Sequence, residues 1–225
     1  MFNNKFGLET AVLTGQKTMT RRLATKSKDR FVLGPLASDP SRFALYNALS
    51  VEVKSAYQIG EVVAIRQSYE TIYRWMKSLD SSPFSGIDFI TQYKETEGWE
   101  NKMFVNPGVM PFGIKITGIR AERLQDISDD DIMCEGITHS ILPVCNLHTG
   151  EKGDYTFPRI VSRGNEVTVK HVVYSNPREA FAALIDAVSG RGYWEKNYWH
   201  FVYEFELRFC NIYYQRFYEL MKEKK

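Results

Sequence analysis

Gly15-Gln16-Lys17-Thr18-Met19-Thr20-Arg21-Arg22 is the stretch from which the fold of this 225-residue chain is best predicted. The preceding residues, 5–13, carry apolar side chains at helical spacing and predict a short helix. Gly15 follows where a left-handed helix C-cap belongs, because glycine adopts positive φ without a steric penalty. From Thr18 onward the side chains alternate as in a strand. The stretch therefore predicts a helix-to-strand junction.

The composition indicates a cytoplasmic domain with a real core. Hydrophobic residues make up 44% of the chain and aromatic residues 14%, which excludes wholesale disorder. No apolar run is long enough to cross a membrane, and the first residues lack the apolar segment of a secretory signal. Cys134, Cys145 and Cys210 form no CxxC pair, which fits a reducing compartment. His139 and His148 lie near Cys145 without ligand-spaced carboxylates, so we expect neither a metal nor a cofactor.

The charge is balanced overall but concentrated near the junction. The net charge is +2, from 29 basic and 27 acidic residues, which is too small for a protein that coats duplex nucleic acid. Fourteen residues near the junction carry six cations and a single acid, Asp29; the cations are Lys17, Arg21, Arg22, Lys26, Lys28 and Arg30. Such a patch suits a phosphate or a single-stranded backbone, and it is equally compatible with a solvated basic loop.

Periodicity and turn residues predict the other elements. We expect strands over 62–69, 112–124 and 199–209, with residues 24–56 irregular because Gly34-Pro35 and Asp39-Pro40 mark turns. We expect helices over 128–135, 178–188 and 211–225, the second opened by Asn176-Pro177 and closed by Gly190. Residues 70–105 and 138–175 are predicted insertions, the second partly β. Since regular βαβ alternation is absent, the fold class is α+β: a small mixed or antiparallel β-barrel with flanking helices.

Four motifs, in order over most of residues 6–207, resemble the ASCH superfamily, whose fold is similar to the PUA barrel of RNA-modification proteins. They are Gly15-x-Lys17-Thr18-x-Thr20-Arg21-Arg22, Tyr57-x-x-Gly60-Glu61, Arg120-x-Glu122-Arg123-Leu124-Gln125-Asp126-Ile127-Ser128-Asp129-x-Asp131-x-x-x-Glu135-Gly136, and Trp194-Glu195-x-Asn197-x-Trp199. The last two resemble the larger ASCH proteins of phages and bacteria. The resemblance implies an ASCH domain over 1–208 with both insertions, and a helical extension over 209–225.

The resemblance also implies a cleft for RNA or a modified nucleoside. Some small ASCH proteins are amidohydrolases of N4-acetylcytidine that use a lysine, a threonine and a glutamate. Matched motif to motif, these roles fall on Lys17, Thr20 and Glu135.

The residues themselves leave this chemistry open. In an extended strand Lys17 and Thr20 point to opposite faces, so the chain must turn between them for both to reach one ligand. A threonine hydroxyl needs a base, and Lys17 serves as one only if burial or the cations Arg21 and Arg22 lower its pKa. Glu135 either relays a proton or pairs with Lys17 and keeps it protonated. Lys17 and Arg22 are otherwise surface cations, and Thr20 a strand residue.

We therefore expect a protein that binds RNA or a nucleotide-like small molecule. Its predicted ligand contacts are Gly15, Lys17, Thr20, Arg21, Arg22, Arg66 and Tyr69. Tyr69 and Trp75 fit either base stacking or a core. Two alternatives stay open: an amidohydrolase acting on an acylated nucleoside, and a phage-associated interaction module that uses the insertions and the C-terminal helix. The sequence leaves the oligomeric state open.

Overall fold

A computed structural model describes residues 2–24, 31–36, 39–79, 86–145, 152–163, 166–211 and 214–215. This part of the chain is α+β, with antiparallel sheets, as the sequence predicts. Its elements are α1 (Leu8–Leu13), β1 (Met19–Leu23), β2 (Val32–Leu36), β3 (Asp39–Tyr46), β4 (Val62–Ala64), α2 (Tyr69–Leu79), α3 (Gly86–Thr91), β5 (Phe112–Arg123), α4 (Asp129–Cys134), β6 (Thr138–Cys145), β7 (Lys152–Arg163), β8 (Glu166–Tyr174), α5 (Pro177–Ser189) and β9 (Trp199–Phe209). Short 3₁₀ turns occupy Asn4–Phe6, Pro107–Val109, Leu124–Asp126 and Trp194–Lys196.

The chain forms two compact units, each built from separate segments. The smaller unit contains Glu61–Lys115 and Leu207–Lys225. The larger unit contains Phe2–Gly60 and Ile116–Glu206. The predicted domain limits, 1–208 with insertions at 70–105 and 138–175 and an extension over 209–225, stay predictions.

The larger unit is built on strand β9, which lies between β1 and β5. Strand β1 runs antiparallel to β9, with Thr20 opposite Tyr203 and Arg21 opposite Val202. Because successive residues of a strand point to opposite faces, Arg21 lies on one face of this layer and Thr20 on the other.

Two further antiparallel sheets belong to the larger unit. Strands β2 and β3 pair with each other, and β6, β7 and β8 form a three-stranded sheet in that order. The prediction that residues 24–56 are irregular is therefore wrong for β2 and β3. The mixture of helices and antiparallel sheets confirms the α+β class. Within the described ranges the strands do not close into a barrel, so the barrel stays a prediction.

The predicted helix ends of the larger unit are largely confirmed. Ser128 caps α4 by accepting from the Asp131 amide, and Gly136 beyond that helix has a φ of 103°. Asn176 caps α5, with Pro177 at its first turn and Gly190 at its end. The helix expected over residues 5–13 is instead a 3₁₀ turn and α1, because Gly7 between them adopts a φ of 63°.

The core of the larger unit contains large side chains from the sheet and from both helices. Fully buried members include Leu124, Ile127, Ile132, Phe181 and Tyr203. Burial of such a side chain stabilises the fold by about 1.5–3 kcal/mol. Helices α4 and α5 pack together over this core.

In the smaller unit, β4 pairs antiparallel with the start of β5, Val63 lying opposite Ile114. The strand predicted over 62–69 is shorter than expected, because Ser68 accepts a hydrogen bond from the Thr71 amide and α2 begins at Tyr69. The unit has its own buried cluster, made by Tyr69, Ile72, Met76, Ile90, Val105, Val109, Met110 and Tyr214. Of the predicted helix over 211–225, residues 212–213 and 216–225 lie outside the described residues. No helix in the described ranges is long and apolar enough to span a membrane.

Candidate functional site

The turn after α1 buries the Lys17 side chain. Gly15 adopts a φ of 77° and donates its amide to the carbonyl of Val12 at 3.0 Å. The Lys17 amide then donates to the carbonyl of Ala11 at 2.8 Å. The left-handed glycine thus folds the chain back onto its own helix, and the Lys17 side chain is only 2% exposed.

The Lys17 ammonium meets Glu135, which is 118 residues away in the sequence. Nζ donates to the Glu135 carbonyl oxygen at 2.8 Å and also forms an ion pair with Oε2 of the same residue. Glu135 is the C-cap of α4, and the Thr18 amide donates to the neighbouring Cys134 carbonyl at 3.0 Å. Strand β1 is therefore tied to the end of α4 by both backbone and side-chain bonds.

Arg21 is buried beside Lys17 and binds three carboxylates. One terminal nitrogen donates to Oε1 of Glu135 at 2.9 Å. Nε donates to Oε1 of Glu122 at 3.1 Å, and the second terminal nitrogen lies 3.1 Å from Oδ2 of Asp131. The guanidinium also lies over the Phe181 ring of α5, 5.9 Å from its centroid. The predicted ligand-binding arginine is thus bound by groups of its own chain.

Arg120 on β5 extends this network toward solvent. Its Nε donates to Oε2 of Glu122 at 3.1 Å, and its terminal nitrogens pair with Asp131 and Glu204. We call Lys17, Arg21, Arg120, Glu122, Asp131, Glu135 and Glu204 the charge cluster. Counted as ionised, its three cations face four carboxylates. A phosphate at this cluster would therefore meet an excess of negative charge.

Burial and charge change the pKa values of two cations in the cluster. Desolvation lowers the pKa of Lys17, an effect that its contact with Glu135 opposes and that Arg22 and Arg21 add to. For Arg120, burial acts to lower the pKa, but Glu122, Asp131 and Glu204 together raise it. Lys17 is therefore easier to deprotonate than an exposed lysine, which a proton-accepting role requires.

Thr20 lies on the opposite face of β1 from Arg21. It is buried opposite Tyr203, whose hydroxyl accepts a hydrogen bond from the Ala56 amide at 3.1 Å. Among the described residues, the hydrogen bonds of the charge cluster do not include Thr20. The structure thus brings Lys17, Arg21 and Glu135 together and directs Thr20 elsewhere.

The other predicted contacts are distributed over both units. Arg22 is exposed, with its guanidinium 6.0 Å from the centroid of the Phe2 ring, and Gly15 is exposed at its turn. Arg66 and Tyr69 belong to the smaller unit, where Tyr69 is buried, stacks on Tyr93 at 4.4 Å and accepts from the Asn106 amide. The core interpretation of Tyr69 is therefore favoured over base stacking. Lys26, Lys28 and Arg30 lie outside the described residues.

Sequence reasoning missed several partners in the larger unit. Glu122 lies two residues after Arg120 on β5, so the two side chains share one face of the strand. Asp131 lies four residues before Glu135, so these two share one face of α4. His200 was also missed; Nδ1–H donates to the Tyr198 carbonyl at 2.9 Å, which leaves Nε2 to accept from the Tyr193 hydroxyl at 3.1 Å. Burial lowers the pKa of His200.

The described side chains include no group of three or more histidine, cysteine or acidic residues arranged to hold a metal ion. His148 falls outside the described residues, as does the side chain of Cys145. A comparison of the chain with protein-family models, with curated proteins and with solved structures finds no match.

Proposed function

We propose that this protein is an ASCH-type domain of PUA-like barrel fold that binds RNA or a nucleotide-like ligand beside the Gly15–Arg22 junction. The observation that carries the proposal is the buried contact between Lys17 and Glu135. Removing an ion from water costs several kcal/mol, about 20 kcal/mol in the idealised limit, so buried ionic groups call for a reason. Buried titratable groups with shifted pKa values are concentrated at functional sites.

The charge cluster favours a neutral, hydrogen-bonding group as the ligand over a phosphate. Lys17 and Arg21 already bind carboxylates, and the cluster carries more carboxylates than cations. A nucleobase presents neutral donors and acceptors that such a site accommodates without an added negative charge. Phosphate groups of the ligand then contact cations outside the cluster. Arg22, which follows Arg21 directly in the sequence, is one such cation.

A second candidate activity is hydrolysis of an acylated nucleoside, and the lowered pKa of Lys17 favours it. In this reaction water attacks the acyl carbon, the Lys17 amine takes the proton from that water, and the ammonium returns it to the departing nitrogen as the C–N bond breaks. The products are a carboxylic acid and the free amine. Glu135 orients the Lys17 side chain. Because Thr20 points to the other face of β1, water is the better nucleophile.

The test is titration of the protein with cytidine, N4-acetylcytidine and a mixed-sequence single-stranded RNA. Lys17→Met keeps the length of the side chain without its amine, and Lys196→Met is the matched control, because Lys196 is an exposed lysine of the same unit. We expect Lys17→Met to weaken nucleoside binding at least tenfold and the control to leave it unchanged. Equal binding by wild type and Lys17→Met would refute the site, and no binding by wild type would refute the function.

The hydrolase candidate has its own readout, which is the release of acetate from N4-acetylcytidine. We expect the rate to rise with pH through the lowered pKa of Lys17, since only the neutral amine accepts a proton. Turnover that survives in Lys17→Met would exclude the assigned base. Binding without turnover would leave the domain as a binding module.

A further inference from the structure

We infer that the hairpin of β7 and β8 contacts the phosphodiester backbone of RNA through Arg159 and Lys170. The register of the two strands places Arg159 directly opposite Lys170, so both side chains project from the same face of the sheet. Both residues are exposed. The inference rests on the proposed RNA-binding function and adds to it a second contact surface within the larger unit.

The pairing of Arg159 with Lys170 across the hairpin costs stability. Directly opposed strand residues have Cβ atoms about 4.5–5.5 Å apart, and like charges there destabilise a sheet. Among the side chains that the structure describes, the ion pairs include neither Arg159 nor Lys170. This contrasts with Lys17, Arg21 and Arg120, whose charges are all compensated. An anion that binds beside these two cations is attracted to both and offsets the repulsion between them.

The part of β8 around Lys170 is exposed to solvent. Residues 168–171 are all exposed, whereas a strand covered on one face would alternate between buried and exposed positions. This stretch of β8 therefore meets solvent on both faces, while Ile160 and Val161 opposite it on β7 are half-buried. A two-stranded ribbon of this kind can approach a nucleic acid without rearrangement of the core.

The residue pairs next to Arg159 and Lys170 add further groups that suit a nucleic acid. On the face of Arg159 and Lys170, the next pair contributes Thr168, which is exposed and whose hydroxyl can donate to a phosphate oxygen. The opposite face presents Val169, 51% exposed, beside Ile160. One face thus provides cations and a donor for the backbone, and the other an apolar surface.

The experiment measures the binding of a fluorescein-labelled, mixed-sequence single-stranded RNA by anisotropy at several KCl concentrations. The test variant is Arg159→Ala/Lys170→Ala, and the matched control is Arg191→Ala/Lys196→Ala, which also removes one exposed arginine and one exposed lysine of the larger unit. Each phosphate contact on a single strand contributes about 0.7 to the slope of log K against log salt. We expect the test variant to flatten the slope by about 1.4 and to weaken binding about 10- to 25-fold at 0.1 M salt, equally for different sequences. The control should retain the wild-type slope.

A second variant separates binding from folding. Lys170→Glu places a carboxylate opposite Arg159, so we expect weaker RNA binding together with an equal or higher melting temperature. An unchanged salt slope in Arg159→Ala/Lys170→Ala, with RNA still bound, would overturn this inference and leave the proposed function standing. Failure of wild type to bind any RNA would overturn both. Binding of anionic phospholipid vesicles in place of RNA, with the same dependence on the two cations, would assign the hairpin to a different partner and overturn the inference.

Discussion

Glu135 serves two cations at once, which makes it the residue on which the charge cluster depends. Its carboxylate binds Lys17 through one oxygen and Arg21 through the other, while its carbonyl oxygen accepts a further bond from Lys17. The three side chains are nearly inaccessible to water, so solvent cannot replace a lost partner. The removal of one member of a buried pair costs more than the pair itself contributes.

We therefore expect Glu135→Gln to destabilise the protein by about 3–5 kcal/mol, because it leaves the Lys17 ammonium without its carboxylate. Urea unfolding measures the loss. The matched control is Glu70→Gln, which breaks the exposed pair of Glu70 with Arg74 and should cost less than about 0.5 kcal/mol. Losses of similar size in the two variants would contradict the role given to the buried pair.

His200 makes the stability of the protein depend on pH. Its folded-state pKa is lowered below the ordinary value of 6.5 by burial, with Arg21 lowering it further and the Tyr198 carbonyl, Glu135 and Glu122 opposing. The unfolded chain takes up the proton first as the pH falls. The stability contributed by neutral His200 is thus complete above pH 6.5 and is lost as the pH falls toward the folded-state pKa.

We expect the free energy of unfolding to decrease below pH 6.5 with a slope of up to about 1.4 kcal/mol per pH unit from His200. His200→Gln should remove this component, and His139→Gln, at an exposed position, should retain it. The measurement is urea unfolding between about pH 7.5 and 5.5, above the range in which unperturbed carboxylates titrate. Parallel profiles for wild type and His200→Gln would contradict the assignment.

Among the elements, helix α5 depends on the capping residue that precedes it, Asn176. The side chain of Asn176 accepts from the Glu179 amide at 2.9 Å, and Pro177 occupies the first turn, where its missing amide proton costs nothing. Asn176→Ala should therefore lower the stability by about 1 kcal/mol, measured by thermal unfolding. Asn176→Asp keeps the acceptor and serves as the control. Equal losses in the two variants would show that the cap is not the cause.

Elements with strong local signals were predicted well. Strand β9 has the predicted limits, β5 ends one residue earlier than predicted, α5 is one residue longer at each end, and Ser128 caps α4 as expected. The sequence does not predict β2 and β3, because Gly34-Pro35 is typical of a turn. In the structure Pro35 lies in a two-stranded sheet, where a strand has an unpaired edge that tolerates a missing amide proton. The Tyr46 hydroxyl donates to the Pro35 carbonyl at 2.9 Å and holds this edge in place.

At the scale of the whole molecule, the small net charge limits how strongly the protein attracts nucleic acid. The chain has a net charge of +2, and Lys17, Arg21 and Arg120 are compensated, so the excess of cations available for phosphates is small. We expect log K for single-stranded RNA to fall against log salt with a slope of about −1.5 to −3, equivalent to two to four phosphate contacts. A slope steeper than about −5, measured by anisotropy, would contradict this balance of charge. The alternative role as an interaction module stays a prediction.

Local sequence signals are sufficient to predict the helix-to-strand junction at Gly15, the caps of α4 and α5, and the α+β class. Each of these depends on neighbours a few residues apart, through caps, positive φ and side-chain alternation. The contact of Lys17 and Arg21 with Glu135, in place of solvent, is a result of tertiary folding. Periodicity assigns a side chain to a face but does not identify what covers that face, and Glu135 arrives from 118 residues away. Thr20 is a contrasting case, because strand alternation alone places it on the opposite face of β1 from Arg21.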